Sequence, residues 1–202
     1  MLSDLQKEEF IEKGFLHVPS VVPTLLTQRA RRVINGAIGE GFDADSLRLY
    51  QARSFFPELR DDPRLLRLAT NTPTWGLVTS LLGKRRVIRP KGGAQIALRF
   101  PVPEGTATTR HGWHMDGYPS GVNGVPDDGA VRSFNLLLGV MLSDVCSRDS
   151  GNLTVWPGMH HELEQYYRSN PVFPSPDTLT TCLLYTSPSP RDATLSRLAW
   201  CA

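Results

Sequence analysis

Apolar and polar positions change rhythm once along the chain, near Gly83. Before that point they recur at helical spacing. Ser3 with Gln6 makes a capping-box pattern and Gly14 a stop, which predicts a helix over Asp4–Lys13. A short strand over Phe15–Val18 follows. A second helix is predicted from Thr24 to Ile38, with Leu25, Leu26, Ala30, Val33, Ile34 and Ala37 as its inner stripe. Asp62-Pro63 opens a third helix through Ala69 and Thr72-Pro73 a fourth through Leu82, each proline at the first helical position.

After Gly83 the pattern predicts strands over Arg85–Arg89, Ala94–Phe100, Trp113–Tyr118, Phe134–Leu142 and Leu153–Trp156. Along Ala94–Phe100, Ile96, Leu98 and Phe100 share one face, while Gln95, Ala97 and Arg99 share the other. The 17 glycines and 16 prolines cluster between the apolar runs. Short strands joined by such turns favour a sandwich or barrel over a helical bundle. The expected class is α+β, with N-terminal helices buttressing one side of a barrel.

At 202 residues, 40% hydrophobic and 21% charged, the chain has the make-up of an ordinary globular domain. A net charge of +2 gives no argument for a nucleic-acid partner or an anionic membrane, and neither is expected. Arg29, Arg31 and Arg32 read as a solvated helix face. No apolar run approaches the roughly 18 residues that span a bilayer. The start is polar and acidic, unlike a secretory leader, so a cytoplasmic location is expected. Cys146, Cys182 and Cys201 are too few and too irregular for a disulfide framework or a zinc site.

The candidate chemistry is His114-Met115-Asp116. On a strand, His114 and Asp116 point the same way, and an imidazole beside a carboxylate is two thirds of a two-His, one-carboxylate iron site with open positions. Chance alone supplies His-x-Asp in roughly one such chain in three, so context must decide. In a barrel backed by helices, Gln95, Arg99 and Asn135 become candidate co-substrate contacts. The turn-rich loop from Ser120 to Ala130 follows the ligand strand, where loops commonly cover substrate. For a second histidine, His17 lies on the N-terminal strand and His111 faces away from His114. Read from the residues alone, His160 is the candidate for the third ligand.

The order of these segments carries a resemblance. Trp113-His114-Met115-Asp116-Gly117-Tyr118 and Asn152-Leu153-Thr154-Val155-Trp156-Pro157-Gly158-Met159-His160, preceded by the helix, Gly14 stop and Pro19, resemble the phytanoyl-CoA dioxygenase family from about Leu2 to Arg168. The resemblance implies a double-stranded β-helix of jelly-roll or cupin type. It implies Fe(II) on His114 and Asp116, 2-oxoglutarate as co-substrate, dioxygen, and hydroxylation of a small-molecule C–H bond with release of succinate and CO2. Trp113 and Tyr118 would help to exclude water. In the family the Pro-Gly-x-His histidine does not bind iron, and a distal histidine and arginine lie further on.

No histidine follows His161, so the third ligand is expected to be missing, with His160 as the alternative. Cys182–Asp192 resembles the in-frame translation of a transposase sequencing adapter. The expected organisation is therefore an oxygenase-like domain over 1–181, lacking its C-terminal strands and inactive as written, and an appended tail over 182–202. Two other readings remain open: a non-catalytic β-barrel binding module, and a cupin-like hydrolase or isomerase using His111, His114, Asp116 and His160. The substrate and the oligomeric state are not legible.

Overall fold

A computed structural model describes residues 1–41, 57–98, 135–145, 153, 155–169 and 198–199. Its first helix, α1 (Asp4–Lys13), opens on a reciprocal capping box. The Ser3 amide donates to Gln6 Oε1 at 3.0 Å, and the Gln6 amide donates to Ser3 Oγ at 3.2 Å. Helix α2 (Thr24–Gly41) follows, then a short 3-10 turn at Pro57–Leu59. Next come α3 (Pro63–Thr70), α4 (Pro73–Leu82), the two-residue strand β1 (Leu137–Leu138), α5 (Met159–Ser169) and β2 (Leu198–Ala199). None of the described helices is long and apolar enough to cross a membrane.

The chain divides into two compact units. One is drawn from Met1–Lys7, Val18–Thr106 and Val140–Gly151, the other from Glu8–His17, Ala107–Gly139 and Asn152–Ala202. In the first unit α2 packs on α3 and α3 on α4. The core is Ala30, Ile34, Leu65, Leu68 and Ile96, flanked by Leu26, Ala37, Ile38, Val140 and Leu142 among others. Most of the expected α2 stripe therefore faces inward, but Leu25 is 56% exposed, one position outside the buried arc.

The caps of α3 and α4 fold this unit locally. Asp62 accepts the Arg64 amide at 2.7 Å and the Arg64 guanidinium at 2.5–3.1 Å. The Thr72 hydroxyl donates to the Leu68 carbonyl at 2.7 Å and accepts the Thr74 amide at 3.3 Å, so one side chain ends α3 and starts α4. Just before α3, the Asp61 carboxylate accepts the Gly93 amide at 2.9 Å and the Arg60 carbonyl accepts the Ala94 amide at 2.8 Å. Gly93 has φ +88°, and a side chain on Gly92 would collide with Asp61. This clip delivers Ile96 to the core. Burial alternates beyond it, with Gln95 and Ala97 exposed, Ile96 buried and Leu98 half-buried.

The expected helices on an incomplete double-stranded β-helix are corrected. The described residues are 54% helix and 3% strand. The strand ladder among them is β1 with β2, antiparallel, Leu137 opposite Ala199 and Leu138 opposite Leu198. Arg85–Arg89 forms no strand, because Gly83 and Gly93 at positive φ bracket it and Pro90 removes a donor. Leu153–Trp156 forms none in its described part and leads through Pro157 into α5. The Phe15–Val18 strand shrinks to a single bridging residue, Phe15. Trp113–Tyr118 lies outside the described residues, as does all of 182–202 except Leu198 and Ala199.

Asp62→Ala is expected to cost about 1 kcal/mol in urea unfolding, as other lost N-caps do. The Arg64 side chain holds the Asp62 carboxyl below its ordinary 3.8. A lowered folded value stabilises fully above the unfolded one, so this contribution should decline below 3.8 and be lost as pH falls through the folded value, and the variant should lack that part of the acid sensitivity.

Candidate functional site

In the second unit the chemistry-bearing side chains gather where the end of α1 meets the start of α5. Gly14 stops α1 at φ +76°, its amide donating to the Phe10 carbonyl at 2.8 Å. The last carbonyls of a helix have no partner within it. Here the Gly158 amide donates to the Lys13 carbonyl at 2.9 Å. His160 and His161 both place Nε2 on the Ile11 carbonyl, at 2.9 and 3.0 Å. A carbonyl only accepts, so each ring donates to it from Nε2. The two rings lie 3.9 Å apart between centroids, tilted by 38°.

Gly14 makes this contact possible. A Cβ there would collide with His160 Nδ1, and the positive φ already disfavours a side chain. His160 is 8% exposed. Burial pushes its imidazole below the ordinary 6.5, the Ile11 hydrogen bond opposes this, the neighbouring His161 lowers it further and Glu164 raises it. The ring is thus held neutral, as a donor to a helix end. A metal on His160 would have to reach Nδ1, on the side packed against Gly14.

The described residues do not bring the expected site residues together. His114, Asp116 and Arg99 lie outside them. Gln95 is exposed in the first unit, and Asn135 is exposed in the second, two residues before β1. Among the described residues there is no group of three or more His, Cys, Asp or Glu side chains able to hold a metal ion.

Sequence reasoning missed α5 and the role of His161. The signals were present, with Glu162 in the first turn, Arg168 in the last, and Glu164 paired with Arg168 at i, i+4. Tyr166 and Tyr167 meet edge to face on this helix, their centroids 5.2 Å apart. No protein-family model, curated protein or solved structure matches the chain.

A folded-state value below 6.5 means that His160 favours the fold fully above that pH and disfavours it as pH falls. The protection factor of the Gly158 amide, its exchange rate relative to an unfolded chain at the same pH, should therefore fall on acidification below about 6.5, and His160→Ala should flatten that dependence. Gly14→Ala should destabilise by at least about 1 kcal/mol, since it adds a Cβ at positive φ. Hydrogen exchange across pH on the protein and on His160→Ala checks the first expectation, and a thermal melt of Gly14→Ala the second.

Proposed function

We propose that the chain carries the chemistry of an Fe(II)/2-oxoglutarate-dependent dioxygenase of the phytanoyl-CoA dioxygenase type, acting on an unactivated C–H bond of a small-molecule substrate. The observation that carries this is His114-Met115-Asp116 set between Trp113 and Gly117-Tyr118, with Asn152–His160 downstream. The pinning of Gly158 and His160 to the end of α1 adds support, because it joins two of the segments on which the resemblance rests. The proposal relies on donor chemistry and takes no barrel with it.

The donor set suits the metal. His114 offers a neutral nitrogen of intermediate softness, and Asp116 a hard anionic oxygen that offsets part of the metal's charge. Bound there, Fe(II) and 2-oxoglutarate supply the dioxygen-dependent oxidation that ends in succinate, CO2 and a hydroxylated product. The chain's own part is to hold and orient. Trp113 and Tyr118 add apolar surface that excludes water, and Asn135 offers an amide to the co-substrate. With Nε2 of His160 engaged by Ile11, this chain is proposed to hold iron on two side chains, weakly and without turnover.

Anaerobic calorimetry of Fe(II) into the 202-residue chain tests this. Weak binding is expected, lowered at least tenfold in His114→Ala and in Asp116→Ala and unchanged in His160→Ala, a factor that corresponds to about 1.4 kcal/mol. Unaltered binding in Asp116→Ala would reject it as a ligand. Binding of 2-oxoglutarate without iron would favour a non-catalytic binding module.

A further inference from the structure

The overall charge of +2 conceals a local concentration. The eight residues from Lys84 to Lys91 carry five cations (Lys84, Arg85, Arg86, Arg89 and Lys91) and no acid. Without them the chain would hold 17 basic against 20 acidic residues, a net charge of −3. All five are exposed, and none is ion-paired with a carboxylate among the described residues.

The loop is anchored at both ends. The Gly83 amide donates to the Thr79 carbonyl at 3.0 Å and the Arg86 amide to the Gly83 carbonyl at 3.0 Å. At the far end the Asp61 clip holds Gly93. Arg89 is steadied over the Trp75 ring, 5.4 Å from its centroid. Within this loop Ile88 is 91% exposed, while Val87 beside it is half-buried.

We propose that Lys84–Lys91 is a docking loop for the surface of an anionic lipid bilayer, with the cations on headgroup phosphates and Ile88 in the interfacial region. This is contact with a membrane face and needs no spanning helix. Charge complementarity selects an anionic partner, and Ile88 selects among anions. A bilayer offers apolar depth directly beneath its charge, whereas single-stranded nucleic acid offers bases best matched by aromatic side chains and a duplex offers phosphates that leave Ile88 without a role. Trp75, the aromatic ring beside the loop among the described residues, is already covered by Arg89. Each cation near an anionic leaflet strengthens partitioning roughly fivefold, so several together give reversible binding.

Co-sedimentation of the full chain with vesicles tests the proposal. One set is phosphatidylcholine alone and the other contains about one third phosphatidylserine. Binding is expected only to the second set, weakening as salt is raised. It should fall at least tenfold when Lys84, Arg85 and Arg86 are all changed to Glu, and severalfold in Ile88→Ser. Because these side chains are exposed, circular dichroism should show both variants folded. If charge reversal does unfold the chain, Ile88→Ser alone decides. Equal binding to both vesicle sets, phosphatidylserine binding unchanged in Ile88→Ser, or a duplex oligonucleotide competing as well as the vesicles would each overturn the proposal.

Discussion

A helix cannot end without leaving backbone groups unpaired, and the partners found for those groups organise both units of this chain. In the second unit the α1 carbonyls at Ile11 and Lys13 are taken up by two imidazoles and one amide, all from 158–161. Residues about 150 positions apart in sequence are joined through them. In the first unit Thr72 closes α3 while opening α4, and Asp61 and Arg60, just ahead of α3, fix Gly93 and Ala94. The apolar core of Ala30, Ile34, Leu65, Leu68 and Ile96 is assembled by these polar contacts at its margins.

That division explains what the sequence could reveal. Helix boundaries were legible because their signals lie within three or four residues. Ser3 with Gln6, Gly14, Asp62-Pro63 and Thr72-Pro73 all sit where the helices begin or end. Strands depend on partners far along the chain, which no local pattern specifies. Gln95–Leu98 keeps the alternating burial of a strand while the described residues give it no sheet. Arg85–Arg89 has the β-branched Val87 and Ile88 but lies between two glycines at positive φ. Helix α5 was obscured because Pro157-Gly158 reads as a turn, and the turn is also where the helix begins.

Much less of the candidate site was legible in three dimensions. The expectation that His114 and Asp116 share a ligand face came from residue type and spacing, and both residues lie outside the described ones. The role of His160 was not legible, because its partner is a backbone carbonyl that every residue possesses. One imidazole can serve a metal or a helix end, and the choice depends on which nitrogen is already engaged. Here Nε2 is engaged by Ile11, and burial keeps the ring neutral.

The proposed function requires His114 and Asp116 to hold Fe(II) together. X-ray absorption on the 202-residue chain, with protein in excess over Fe(II), tests it most directly, since imidazole back-scattering reports the nitrogen donor itself. One imidazole among oxygen donors is expected, absent in His114→Ala and retained in His160→Ala. A purely aquated spectrum, or an imidazole signal lost in His160→Ala and kept in His114→Ala, would contradict it.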